Sequence, residues 1–261
     1  MRIASQLLAI LLMLPTPIAL AQHVSITVPN IGRVSLNFQP EPNSAGNYKS
    51  VKIQSAGKTV LFTPKNPIAN IPVDRKEKLS RGLWEAPSGL RLDSSHFFFR
   101  GDYTSDSQPH TLLFFISEGY ASEAPPLFVI GFTYMGEPYK VLELENCLLT
   151  GFQYANDNTA HIIGKRSLSQ VMAGEYGSGP NIPYATTYDP FSVFIVRVEG
   201  EATYSLAATR LYNQQHYIWA GPHSREDYAV FYNLPKHPKP FGTPASRVDE
   251  LFGSAKATSP K

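Results

Sequence analysis

The densest group of side chains able to do chemistry lies in residues 213–228. The candidate ligand-binding residues there are His216, Trp219, His223, Arg225 and Glu226. Imidazole, guanidinium and carboxylate groups can bind a polar ligand or transfer protons when a pocket brings them together. In the alternative interpretation, Trp219 packs a helix end onto a sheet and His216 interacts with the helix dipole. Packing and capping account for more of these residues than a site does.

A second candidate is the segment 174–190, which is rich in glycine, proline and tyrosine without a period. This composition is typical of a long loop with a function. Its glycine-rich part, 175–180, is followed by no lysine, so it is not a phosphate-binding loop. The chain also lacks a Gly-x-Ser-x-Gly nucleophile elbow and a His-Glu-x-x-His zinc motif. Catalytic residues therefore stay unknown, and no cofactor is expected.

Residues 149–164 read Leu-Thr-Gly-Phe-Gln-Tyr-Ala-Asn-Asp-Asn-Thr-Ala-His-Ile-Ile-Gly. This stretch resembles the strand, acidic loop and strand of FG-GAP and related VCBS-type propeller repeats, whose loop aspartates bind calcium. Gln153 and Ala155 stand where the first two aspartates are expected, and His161 replaces the usual glutamate. Asp157 alone remains, whereas calcium needs six to eight oxygen ligands. The resemblance implies a strand-connecting turn of propeller type, and no metal is expected.

Two shorter features need a special setting to do chemistry. The tripeptide Arg100-Gly101-Asp102 is one that some integrins recognise, and its Gly-Asp pair is typical of a turn. Three-residue motifs often arise by chance, however. The sole cysteine, Cys147, cannot form an intrachain disulfide. We interpret it as a small buried hydrophobic residue because it lies in an apolar run without an activating signature.

The charge pattern excludes two classes of partner. The formal net charge is only +2, and the one dense cluster of charges, residues 74–78, mixes both signs. A phosphate backbone or an anionic membrane surface is bound by stripes of like charge. We therefore expect no nucleic-acid partner and no electrostatic docking on lipids.

The N-terminus has the three parts of a cleavable signal peptide. Arg2 supplies the positive charge, residues 7–14 are apolar, and Ala19 and Ala21 form a small-x-small cleavage site. The alternatives to a cleavable signal peptide are an uncleaved anchor and a buried helix. Both agree less well with the prolines after the apolar run and with the cleavage motif. The run is shorter than the roughly 20 residues that span a bilayer. We expect a soluble protein exported to the periplasm or outside the cell, with Gln22 first and no membrane span.

The elements that position these residues are mostly strands. Residues 24–28 and 34–38 alternate apolar and polar side chains, which predicts a hairpin, and 51–53 with 60–62 predict a second. Later strands are apolar on both faces. One helix, at about 201–215, has apolar residues at helical spacing. Its predicted packing face consists of Tyr204, Ala207, Ala208, Leu211 and Tyr212.

The predicted fold is mainly β, an antiparallel sandwich or propeller-like sheets with one packed C-terminal helix. The predicted divisions are a signal peptide at 1–21, a strand region at 22–75, a larger β region at 76–252 and a tail at 253–261. The predicted function is non-catalytic binding or scaffolding of an unknown protein or small-molecule ligand. The alternative is a cell-envelope hydrolase with a site near 174–190 and 216–227.

Overall fold

The structure is a computed structural model that describes residues 21–42, 47–69, 87–93, 98–116, 126–145, 147–155, 158–167, 188–222, 228–233 and 237–244. These residues form antiparallel sheets and one helix, which confirms the predicted class. The strands are β1 (Gln22–Val28), β2 (Gly32–Pro40), β3 (Asn47–Ser55), β4 (Lys58–Phe62), β5 (Ile68–Ala69), β6 (Arg91–Leu92), β7 (Phe99–Ser105), β8 (Gln108–Ile116), β9 (Leu127–Phe132), β10 (Pro138–Leu144), β11 (Leu148–Ala155), β12 (Thr159–Ser167), β13 (Tyr188–Val196), β14 (Thr203–Tyr204), β15 (Tyr217–Pro222), β16 (Tyr228–Asn233) and β17 (His237–Pro244). The helix, α1, is Leu206–His216.

The first sheet has the order β1-β2-β3-β4, and β5 also pairs with β3. Both predicted hairpins are confirmed. The alternating pattern buries one face of β1 and β2, where Val34, Leu36 and Phe38 are fully enclosed, and leaves the opposite face in solvent. This one-sided burial is what a half-buried antiparallel sheet requires.

The second sheet, β10-β9-β8-β7-β6, lies between two hydrophobic cores. In β8, Leu113 and Phe115 pack into the core shared with the first sheet. Leu112 and Phe114 point the other way, into the core shared with the third sheet. Because successive side chains on a strand point to opposite faces, a strand covered on both faces must be apolar throughout.

The third sheet has the order β11-β12-β13-β14. It is joined to the second sheet by the packing of Phe152 against Tyr103 and Phe114. Close approach of the chain beside β11 requires a glycine. Gly89 has a φ of +74°, and a side chain there would collide with the carbonyl oxygen of Phe152. Each sheet is thus a meander of sequential strands, and three sheets stack face to face.

Helix α1 docks on the edge of β13 through polar side chains. Its predicted apolar packing face is wrong in part: Leu211 is 57% exposed and Tyr204 belongs to β14, whereas Tyr212 does contact Phe191. Thr209 and Asn213 are the buried residues of the helix. The Asn213 side chain accepts a hydrogen bond from Phe191 N and donates one to Phe191 O, each at 2.8 Å. Thr209 Oγ1 accepts from Val193 N at 2.9 Å. The helix therefore satisfies backbone groups that a further strand would otherwise pair.

The fourth sheet has the order β15-β16-β17 and follows α1 directly. Strand β17 contacts β13, so the fourth sheet adjoins the third sheet. Within the described ranges, no helix combines the length and the apolar character needed to cross a lipid bilayer.

Candidate functional site

Hairpin turns from the first three sheets meet at one end of the stack. Asn30 Nδ2, after β1, donates a hydrogen bond to Gln108 Oε1 at 3.1 Å. Tyr134 N, after β9, donates to Glu199 Oε1, after β13, at 2.6 Å. In meanders, alternate turns lie at the same end of a sheet, and stacking brings the turns of neighbouring sheets together. We name the surface formed by Asp106, Tyr134, Met135, Tyr154, Asn158 and Glu199 the turn-end face.

The backbone at this end adopts conformations that L-residues seldom take. Asp106 and Ser107 have φ of 50° and 61°, a two-residue turn whose twist matches that of the hairpin strands. Glu199 has φ 52°, which is uncommon for a residue with a long side chain. The Glu199 backbone is therefore the strained one, and such residues persist only where their surroundings fix them and concentrate at functional sites.

An aromatic stack lies beneath the turn-end face. The His110 imidazole stacks on the ring of Tyr103 with centroids 5.1 Å apart, and Tyr134 contacts it edge to face at 5.3 Å. Tyr134 is half exposed, whereas His110 is 7% exposed. The stack therefore connects the surface to the interior of the second sheet.

Burial holds His110 in its neutral form. It lowers the pKa of the imidazole. The hydrogen bond to the Ser105 backbone and the carboxylates of Glu199 and Asp106 act in the opposite direction, but their effect is smaller. The other ring nitrogen, Nε2, is buried and has no hydrogen-bond partner among the described residues. A buried acceptor without a donor costs roughly 1–3 kcal/mol. The imidazole thus presents an unsatisfied acceptor directly under Tyr134.

Tyr103 and Tyr134 are protonated at neutral pH. Burial first, and the nearby phenols of Tyr139 and Tyr134 second, raise the pKa of Tyr103. Loss of hydration, followed by the carboxylates of Asp106 and Glu199, raises the pKa of Tyr134. The two carboxylates thus act on the Tyr134 hydroxyl and give this part of the surface a negative potential.

A hydrogen-bonded chain holds the turns of the second and third sheets together. Ser105 Oγ donates to Asn158 O at 3.0 Å, and Asn158 Nδ2 donates to Asp106 Oδ1 at 3.4 Å. Tyr154 OH donates to Asn158 Oδ1 at 2.9 Å, while 45% of Tyr154 stays exposed. With Met135, 77% exposed, and Tyr134, the face presents three large side chains to solvent. Tyr134 and Met135 stand on the hydrogen-bonded β9–β10 turn, and Tyr154 lies one residue before the end of β11.

Of the predicted ligand-binding residues, His216 is the one whose side chain the structure describes. Its Nδ1 lies 2.7 Å from Tyr212 O, and its ring stacks on Tyr212 at 4.0 Å. It therefore interacts with the carbonyl end of α1. The backbone of Trp219 lies in β15, but the structure does not describe its side chain. His223, Arg225 and Glu226 lie outside the described residues. The site prediction for these five residues stays a prediction.

The aromatic group around His216 lies at the opposite end of the third sheet from the turn-end face. Phe191 contacts both Tyr212 and His216 edge to face, and Lys165 Nζ lies 5.0 Å above the Phe191 ring. Burial lowers the pKa of Lys165 to about 8. The segment 174–190 begins outside the described residues and enters them at Tyr188, the first residue of β13. A site there stays a prediction too.

The Arg100-Gly101-Asp102 tripeptide lies inside β7, so the turn predicted there is wrong. The Arg100 side chain is 10% exposed, and its Nη1 donates to Thr27 O of β1 at 2.7 Å. Asp102 accepts from Arg100 Nε at 2.8 Å and also pairs with Arg91. The bond to Thr27 joins the first and second sheets, and the pairs with Asp102 lie within the second sheet, so the tripeptide is part of the sheet structure.

The stretch that resembles a propeller repeat forms the β11–β12 hairpin. Gln153 pairs with His161 and Ala155 with Thr159, while Asp157 lies outside the described residues. Within the described part of the chain, no three His, Cys, Asp or Glu side chains are grouped so that they could hold a metal ion. Cys147 is buried in the core between the second and third sheets, as its apolar run predicts.

Tyr154 and Asn158 of the turn-end face lie in the stretch that resembles a propeller repeat, whereas Asp106, Tyr134, Met135 and Glu199 were not singled out by the sequence, although one signal was present. Tyr134-Met135 lies between Thr133 and Gly136, in a turn closed by the hydrogen bond from Gly136 N to Thr133 O. Turns favour Gly, Pro, Asn, Asp and Ser. A large aromatic residue followed by methionine at a turn therefore indicates contact with another molecule.

Comparison with protein-family models and with curated proteins finds no match for this chain. The function must therefore be inferred from the arrangement of its own residues.

Proposed function

We propose that this chain is an exported, non-catalytic protein that binds a partner through the turn-end face. The observation that carries the proposal is the exposure of Tyr134 and Met135 on the β9–β10 turn and of Tyr154 near the end of β11, where hydrogen bonds fix the Tyr134 backbone and the Tyr154 hydroxyl. Tyrosine and methionine are enriched at protein interfaces. Side chains on a fixed backbone lose less conformational entropy on binding, so a smaller cost offsets the free energy gained by burying their exposed area.

The partner is a protein surface rather than a small molecule. Small-molecule sites are concave, with about 300–1,000 Å³ of volume. The cavity among Pro64, Ile68, Phe115, Phe128 and Leu144 holds only about 10 Å³, room for one water, and lies away from the turn-end face. Side chains that project from turns, as on the turn-end face, are suited to a partner that brings its own complementary surface.

The signal peptide supports export. Strand β1 begins at Gln22, which becomes the N-terminal residue once the signal is removed after Ala21. A strand that starts at the cleavage point leaves no unpaired linker. Mass spectrometry of the protein recovered outside the cytoplasm is expected to give a chain that begins at Gln22; a chain retaining Met1 contradicts export by cleavage.

Site-specific photocrosslinking tests the binding face. Met135 is replaced by p-benzoylphenylalanine in the cells that make the protein, and Leu61, 55% exposed on the outer face of the first sheet, is replaced in a matched control. We expect a discrete adduct from position 135 and none from position 61. Adding Tyr134→Ala and Tyr154→Ala is expected to abolish the adduct. The absence of an adduct at 135, or equal adducts at both positions, contradicts the proposal.

A further inference from the structure

The charges around the exposed aromatic residues are predominantly negative. The described charged groups on or next to the turns of this end are the carboxylates of Asp106, Glu137, Glu199 and Glu201, the guanidinium groups of Arg33 and Arg197 and the ammonium of Lys58. Lys58 is paired with Glu137 and so contributes little to attract a ligand. Asp106 and Glu199 remain next to the Tyr134 ring.

Both carboxylates face the surface, and each also accepts one hydrogen bond from a neighbouring turn or hairpin. Glu199 uses Oε1 to accept from Tyr134 N, and Asp106 uses Oδ1 to accept from Asn158 Nδ2. A carboxylate has two oxygens and about four acceptor positions. Each therefore retains acceptor capacity for a ligand without breaking the bond that fixes its turn.

Tyrosine faces and carboxylates together suit one chemistry. A guanidinium or ammonium is attracted to the face of an aromatic ring by about 0.5–1 kcal/mol at exposed sites. The same cation can pair with a carboxylate at the ring edge. An anionic or purely apolar partner would pair with neither carboxylate.

We infer that the turn-end face binds a protein segment that carries arginine or lysine, with the cationic group placed over Tyr134 or Tyr154 beside Asp106 and Glu199. This inference rests on the proposed function and adds the chemical class of the partner. Tyr134 lies between the two carboxylates and above His110, so it is the anchor ring. Met135 and Tyr154 supply the apolar contact area around it.

A peptide titration followed by amide NMR tests this inference. The probes are an uncharged-terminus hexapeptide that alternates arginine with glycine, and the same peptide with glutamine in place of arginine, each added into the millimolar range to the purified protein. We expect shifts confined to the turns around Tyr134 and Tyr154 with the arginine peptide, and none with the glutamine peptide. The affinity is expected to fall with salt, because exposed charges are screened within about 10 Å at 0.1 M.

Variants at three residues assign the effect. Glu199→Gln keeps an acceptor for Tyr134 N, and Asp106→Asn keeps one for the Asn158 amide. Each is expected to weaken arginine-peptide binding about two- to five-fold, as expected for a loss of about 0.5–1 kcal/mol. Tyr134→Phe is expected to keep the affinity, and Tyr134→Leu to lower it by the same factor. Glu145→Gln, at an exposed ion pair away from this face, is the control and should change nothing.

The outcomes separate this inference from the proposed function. Equal binding of both peptides, no binding of the arginine peptide, or equal effects of Glu199→Gln and Glu145→Gln overturn the cationic partner. If crosslinking from position 135 persists in the Asp106→Asn, Glu199→Gln double variant, the face still binds a partner, but of another chemistry. If crosslinking fails while the arginine peptide binds at the turn-end face, the proposed protein-binding function is wrong instead.

Discussion

His110 shows how a single residue can make stability depend on pH. Its imidazole is buried between Tyr103 and Tyr134, with Asp106 and Glu199 near its edge and Ser105 bonded to Nδ1. Burial is the larger influence, so the pKa lies below the ordinary value of 6.5. The unfolded chain therefore binds a proton at a higher pH than the folded protein does.

We predict that the melting temperature falls as the pH is lowered through 6.5, because protonation then favours the unfolded chain. Above this pH the imidazole is neutral in both the folded and the unfolded protein, so the contribution of His110 to stability is constant. Below this pH that contribution is lost progressively. His110→Phe keeps an aromatic ring at the site and removes the titration. Thermal melts of both proteins from pH 8 to pH 5 check this.

The variant is expected to lose less of its melting temperature between those two pH values than the unmodified protein. His23→Phe, at an exposed position on β1, serves as the control and should leave the pH dependence unchanged. Identical curves for His110→Phe and the unmodified protein would show that the imidazole is not held neutral by its surroundings.

At the scale of the element, helix α1 depends on two polar side chains. A helix normally packs through an apolar stripe. Here the neighbouring surface is the edge of β13, whose backbone groups at Phe191 and Val193 need hydrogen bonds. The Asn213 amide has one donor and one acceptor side and so replaces the partner strand at Phe191.

We predict that Asn213→Ala lowers the free energy of unfolding by about 2–5 kcal/mol, because it leaves a buried N–H and a buried C=O unpaired. Leu211→Ala, on the exposed side of the same helix, should change it by no more than about 0.5 kcal/mol. Urea unfolding of both variants measures the difference. A larger loss from Leu211→Ala would restore the apolar packing face that the sequence pattern suggests.

At the scale of the whole molecule, the second sheet connects two cores. Phe38 lies in the core between the first and second sheets, and Phe152 in the core between the second and third. Strand β8 supplies side chains to both, so neither core is intact if this strand is lost. The predicted division at about residue 75 places the first sheet in a separate region from the other two.

We predict that Phe38→Ala and Phe152→Ala each remove about 3–5 kcal/mol and shift one common unfolding transition. Fluorescence and circular dichroism melts that coincide in both variants would show this cooperativity. If Phe38→Ala instead produces an early transition that Phe152→Ala does not, the strand region 22–75 unfolds as a separate unit, as the sequence division suggests.

The sequence by itself determined the parts of the protein that local chemistry controls. Period-two alternation fixes which side of β1 and β2 is buried, because a one-residue shift would turn every apolar side chain to water. The apolar runs of β8 and β9 predict strands covered on both faces, and the turn dipeptide Ala56-Gly57 predicts its hairpin. These features depend on neighbours close in sequence.

Only the tertiary structure decided which residues meet. Asp106, Tyr134 and Glu199 come from three different turns, and they adjoin because the second and third sheets stack with those turns at one end. The packing face of α1 was likewise decided by the backbone groups of β13 that bond to Thr209 and Asn213, which no helical period records. Contacts between distant segments depend on sheet order and stacking, and a residue pattern carries information only about its own element.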